Sequence, residues 1–178
     1  MKGIVFTEFL EMVEQKFGIS LADKIVQQPN IEFDSYTAVG SYPHGQMVNL
    51  VINLSKETGI PIPDLLKTYG RHLFGQLAKQ YPQMISGIDD PLRFLEVIES
   101  HIHVEVKKLY PDSKPPSLIP QRISEHELKL TYKSHRQMAD VAEGLILGCA
   151  DYFNSSLTLS RNEVSDGGTE FIVTRHAK

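Results

Sequence analysis

The chain has 178 residues, the length of one globular domain with room for two lobes. Its 18 Lys and Arg stand against 22 Asp and Glu, and a net charge of -4 argues against a nucleic-acid groove, which is built from a cationic excess. The single cysteine, Cys149, excludes an intrachain disulfide and a Cys-rich zinc site. No apolar run reaches the ~18 residues of a membrane span, and the acids in MKGIVFTEFLEM come too early for a signal peptide, so a cytosolic protein with no membrane partner is expected.

In chain order, apolar residues from Val5 to Phe17 recur at spacings of three and four, which predicts an amphipathic helix stopped by Gly18. A short helix from Leu21 to about Gln28 ends at Pro29, and a third runs from Gly45 to Glu57, with Ile60-Pro61-Ile62-Pro63 as a stiff connector after it. Asp64 opens a fourth helix that reaches Tyr81. Gly70 and Gly75 inside it each cost about 1 kcal/mol relative to Ala, so a close neighbour is expected at both. Asp90-Pro91 is a strong start signal for a helix predicted to run unbroken to Tyr110.

Beyond Lys114 the pattern changes. Pro115, Pro116 and Pro120 predict a rigid crossing, and Glu127–Ser134 alternates like a half-buried strand. Ser134 is expected to cap a helix from His135 to about Phe153, and Ser156–Val164 and Thr169–Arg175 form the arms of a hairpin. The fold class that follows is α+β, with a helical N-terminal half and a small antiparallel sheet holding one embedded helix.

No GxSxG, GxxxxGK[ST], HExxH or GxGxxG motif is present, and no acid–base or nucleophile constellation emerges, so the chain does not read as an enzyme. The informative residues are two histidines, an arginine and a proline pair. On a wheel of 100° steps His101 and His103 fall at opposite borders of the apolar stripe of their helix, so they do not form a two-histidine metal clamp. Either one alone is an ordinary partly buried histidine, or an axial ligand through Nε2 with its other nitrogen held by a neighbour. Arg136, placed in a first helical turn, opposes the helix dipole unless an anion sits there. A carboxylate gripped bidentately would reverse that sign, with the Tyr132 and Ser134 hydroxyls as further donors.

Taken together and in order, the opening MKGIVFTEFLEMVEQKFG, the segment HIHVEVKKLYP, the Pro115-Pro116 crossing and Tyr132-x-Ser134-x-Arg136 resemble the bacterial haem nitric oxide/oxygen-binding (H-NOX) domain family, related to the haem domain of soluble guanylate cyclase. The resemblance runs from Met1 to about Phe153 and is weaker in the hairpin tail.

It implies a single sensor domain over 1–178, with a helical distal lobe over about 1–62 and a proximal α+β lobe over about 63–178, and a b-type haem between them. His103 would be the axial ligand of the iron, and Tyr132, Ser134 and Arg136 would bind the propionates. Pro116 would press the porphyrin out of plane and Val5 would touch its edge. The distal wall would hold Phe74, Leu77, Val141 and Leu145, with Leu73 where some relatives carry an asparagine and Val141 where some oxygen-holding relatives carry a tyrosine. Bound oxygen needs a hydrogen-bond donor far more than nitric oxide or carbon monoxide does, so a wall of Val, Leu and Phe predicts a nitric oxide and carbon monoxide sensor that excludes oxygen.

The family's mechanism implies that nitric oxide weakens the bond to His103 and that the lobes then rotate, signalling to a separate partner such as a histidine kinase or a cyclic-di-GMP enzyme. The alternatives are an oxygen-binding haem protein and a haem-free interaction module of the same fold. Some relatives carry a zinc held by cysteines in the tail; this tail has none, so no zinc is expected there.

Overall fold

The path of the chain in the computed structural model, which describes residues 1–177, follows from where its apolar faces can meet. Helix α1 (Gly3–Phe17) ends at Gly18, whose φ of 95° suits a residue without Cβ, and α2 (Ile19–Val26) follows at once. Helix α3 (His44–Thr58) and α4 (Ile62–Gln80) complete the N-terminal half. Pro63 lies in the first turn of α4, where its missing N–H costs nothing, so the expected connector is shorter than the proline spacing suggested. Phe6, Phe9, Met12, Met47, Leu50, Leu54, Leu65, Tyr69 and Leu73 form one buried cluster.

The helix expected over Asp90–Tyr110 is not continuous. It divides into α5 (Pro91–Glu96), a π-turn over Ile98–Ile102, and α6 (His103–Leu109). Its start is as the sequence indicates: the Asp90 side chain accepts the Arg93 N–H at 3.0 Å. The Val97 carbonyl is shared by the N–H groups of His101 and Ile102, which is where an extra residue enters the turn.

The four-stranded antiparallel sheet has the order β1-β2-β4-β3, from β1 (Ser117–Ser124), β2 (Glu127–Lys133), β3 (Leu157–Glu163) and β4 (Thr169–Arg175). Strand β1 replaces the irregular crossing expected after Pro116, and Pro120 is tolerated because β1 lies on the sheet edge. Helix α7 (Ala139–Tyr152) begins later than His135, so Arg136 stands in the turn before the helix and the dipole cost ascribed to it does not apply.

Helix α7 lies against α4 with backbone nearly touching backbone. A Cβ on Gly70 would meet the Gly144 Cα at 2.8 Å, and one on Gly144 would meet the Lys67 carbonyl at 2.2 Å. Gly75 has no neighbour within 4 Å, so the close approach holds at Gly70 and not at Gly75. Along α4, Leu73 joins the N-terminal cluster while the next residue, Phe74, joins a second cluster with Leu92, Leu95, Leu128, Leu130, Phe171 and Val173. Among the described residues no helix is long and apolar enough to cross a membrane.

Candidate functional site

Between the two clusters lies a cavity of about 400 Å³, within the usual range of small-molecule pockets. Leu73, Phe74 and Leu77 of α4 and Ala142, Leu145 and Ile146 of α7 give it a wall of carbon, and Val5 of α1 stands at its edge. His103 and Val106 of α6, Pro116 and Leu118 line it as well, and Tyr132 and Arg136 bring polar groups to it. Residues from opposite ends of the chain therefore meet in one space.

The π-turn decides which histidine serves this space. His103 is half-buried, its side chain 16% exposed, and lines the cavity, while His101 is exposed and does not. The His103 Nδ1 lies 3.2 Å from Glu99 Oε2, and that same oxygen accepts the Leu118 N–H at 2.9 Å. A carboxylate there makes Nδ1 the protonated nitrogen and leaves the Nε2 lone pair without a protein partner among the described residues. Burial pushes the imidazole below its usual titration range, outweighing the pull of Glu99, so the ring is kept in the neutral form a metal needs. Glu99 was not singled out in the sequence, although its spacing of four before His103 was a signal that could have found it.

The expected anion-binding trio divides its work. Tyr132 is buried on β2 and lines the cavity, its hydroxyl pushed above the usual range by burial against the smaller opposing effects of Ser134 and Arg136. Ser134 does not line the cavity; its Oγ accepts the Arg136 N–H at 3.1 Å and so shapes the turn that presents the arginine. The Arg136 guanidinium reaches only the Lys114 carbonyl, at 3.4 Å, and has no carboxylate partner among the described residues. Its uncompensated charge is felt nearby: after burial, it is the largest influence holding the Met1 ammonium and the His44 imidazole below their usual values. A cation without a counter-ion beside an apolar slot, with one neutral imidazole facing in, suits a flat apolar cofactor that carries both a metal and carboxylates.

Val141 is not on the cavity wall. It packs in the N-terminal cluster with 8% exposure, and its backbone carbonyl lies against Gly70. The structure also adds two tyrosines that the sequence did not mark, Tyr81 after α4 and Tyr110 after α6, both lining the cavity. Their hydroxyls pair at 2.8 Å, and this bond pushes Tyr81 up to about 12.

The family model for haem-NO-binding proteins matches residues 2–161. The chain belongs to the H-NOX family. An H-NOX protein from K. algicida, solved in the unliganded Fe(II) state, is 39% identical, with a TM-score of 0.92 over 100% of this chain and 98% of that one. An H-NOX protein from S. oneidensis in the Fe(II)NO state is 26% identical, with a TM-score of 0.92 over 99% and 100% of the two chains. The Shewanella oneidensis domain in the Fe(II)CO state is 26% identical, with a TM-score of 0.90 over 100% of both. No curated protein matches the chain. H-NOX domains bind haem and are sensor domains rather than catalysts, and the family binds nitric oxide and carbon monoxide. The α+β fold expected from the sequence and the haem cofactor expected from the resemblance both stand.

Proposed function

We propose that this chain is a nitric oxide sensor that also admits carbon monoxide, excludes oxygen, and signals by a change of shape to a separate partner protein in the bacterial cytoplasm. Haem, when bound, would supply an iron able to take a protein ligand and a diatomic gas. His103 is the residue to hold the iron, through the Nε2 left free by the Nδ1–Glu99 contact. Arg136 and Tyr132 would receive the propionates, with Ser134 fixing the turn, and Pro116 and Val5 would help to hold the ring.

The observation that carries the selectivity is the wall of α4 and α7. Leu73, Phe74, Leu77 and Leu145 offer no proton to a bound gas. Signalling follows from the second contact of Glu99. Any displacement of His103 acts on a carboxylate that also holds Leu118, and through Leu118 on the β1 edge of the sheet. A histidine kinase or a cyclic-di-GMP enzyme is the class of partner this reading assigns.

Absorption spectra of the reduced, haem-loaded protein test it. The Soret band should shift with nitric oxide and with carbon monoxide and stay unchanged in air. A stable oxygenated spectrum, or a chain that takes up no haem, would overturn the proposal.

A further inference from the structure

One side of the cavity is lined by polar groups from four segments far apart in the sequence. The Lys2 ammonium, at the start of α1, pairs with the Asp112 carboxylate at 2.8 Å, lies 3.3 Å from Ser41 Oγ, and stands 5.9 Å from the centre of the Tyr110 ring. The Tyr110 hydroxyl in turn bonds that of Tyr81 at 2.8 Å. Lys2, Ser41, Tyr81, Tyr110 and Asp112 all line the cavity. The lysine side chain is only 18% exposed and the aspartate 68%, which places this chain of contacts at the boundary between cavity and solvent.

These groups connect elements that the cavity holds apart. Lys2 and Ser41 belong to the N-terminal half, Tyr81 follows α4, and Tyr110 and Asp112 follow α6, the helix that begins with His103. Each contact alone is weak: a partly exposed ion pair is screened and contributes little to stability, and a cation over a tyrosine ring adds a modest attraction. Linked in a row at the boundary between cavity and solvent, however, they would have to part for a cofactor to leave on that side. Their effect is therefore on a rate.

We infer that Lys2, Asp112, Tyr110 and Tyr81 form a clasp across one side of the cavity, which retains the cofactor kinetically and ties the segment following the His103 helix to the N-terminus. This rests on the reading of the cavity as a haem site, and the test separates the two. The clasp is distinct from the Arg136 side, since none of its members bonds Arg136, Tyr132 or Ser134 among the described residues.

The experiment is transfer of haem from the loaded protein to an excess of apomyoglobin, followed by absorbance at rising ionic strength. D112N, Y110F and Y81F should each release haem about three- to tenfold faster than wild type, the scale of one lost hydrogen bond or ion pair. The acceleration in K2M/D112N should fall short of the product of the two single effects, because both variants break the same contact. Wild-type release should quicken with salt more steeply than D112N release.

Far-UV circular dichroism and the thermal midpoint of the haem-free chains establish that the conservative Tyr→Phe variants remain folded. Release within twofold of wild type from all three single variants, or a K2M/D112N effect equal to the full product, would overturn the clasp while leaving the haem site standing. A wild-type chain that acquires no haem would overturn the site reading itself, and the clasp with it.

Discussion

Two glycine-to-alanine substitutions, one in α4 and one in α7, should move stability in opposite directions. At Gly144 a new Cβ would lie 2.2 Å from the Lys67 carbonyl oxygen and 2.9 Å from the Gly70 Cα. Both are backbone atoms that no side-chain rotation can remove, so α4 and α7 must separate. Overpacking costs roughly 1–3 kcal/mol, and contact with rigid backbone puts G144A at the upper end. At Gly75 a Cβ meets nothing within 4 Å in the interior of α4, so G75A gains most of the ~1 kcal/mol by which alanine exceeds glycine in a helix. For a chain of this size 1 kcal/mol moves the midpoint by about 2–4 °C. Calorimetry on the haem-free chain, which removes the contribution of ligand binding, should find G144A lower by about 6–12 °C and G75A higher by about 2–4 °C. Since α4 and α7 also supply the carbon wall of the cavity, G144A should release haem faster as well. A G144A midpoint within 2 °C of wild type, or a G75A chain less stable than wild type, would refute the packing argument.

His103→Gly should abolish haem retention unless free imidazole is added, as absorbance after desalting would reveal; the same loss from His101→Gly instead would assign the ligand to the wrong histidine. Arg136→Ala should speed haem release about tenfold or more, the scale of a charge-assisted hydrogen bond; this is read by transfer to apomyoglobin. His72→Leu takes away the polar neighbour of the buried Glu8 Oε2, which lies 3.5 Å from His72 Nε2, and leaves that carboxylate only the Gln80 amide on Oε1 at 2.9 Å. Denaturant titration should find about 1–3 kcal/mol lost, and Glu8→Leu/His72→Leu together should lose less than His72→Leu alone. His44 is held below its usual value of 6.5 first by burial and then by Arg136. The unfolded chain therefore binds the proton at a higher pH than the folded one, so wild-type stability should decline as pH falls below about 6.5, and His44→Gln should flatten that decline in thermal melts taken across pH 5–8.

Much of the fold was readable because its signals are local. The Asp90 cap, the alternation of Glu127–Lys133, the hairpin arms and the apolar stripes of α1 and α3 each depend on residues within a few positions of one another. Strand β1 was hidden because its half-exposed residues carry no strong alternation and Pro120 argues against a strand everywhere except at an edge. At the site, the order of motifs brought out His103, Pro116, Tyr132 and Arg136, all of which reach the cavity. The Tyr81–Tyr110 and Lys2–Asp112 contacts could not be read, since their partners are joined only by the tertiary fold. Val141 shows the opposite limit: a family position can be identified by spacing while the residue occupying it packs in the N-terminal cluster and not on the cavity wall.

The π-turn explains why a helical wheel alone could not place the histidines. One residue inserted into an α-helix rotates everything after it by about 100°. Leu92 and Leu95, before the insertion, are buried in the sheet-side core. If α5 and α6 were one regular helix, keeping those two leucines buried would leave His103 at the border where the wheel puts it. The inserted residue frees the second half of the helix to turn its own face to the cavity, with His103 and Val106 lining it and His101 left in solvent. Glu99 lies inside the inserted turn, and its carboxylate bonds both the imidazole and the first turn-facing amide of β1, Leu118. The aim of the imidazole is thus set jointly by its helix and by the sheet, and a displacement of either must be felt by the other.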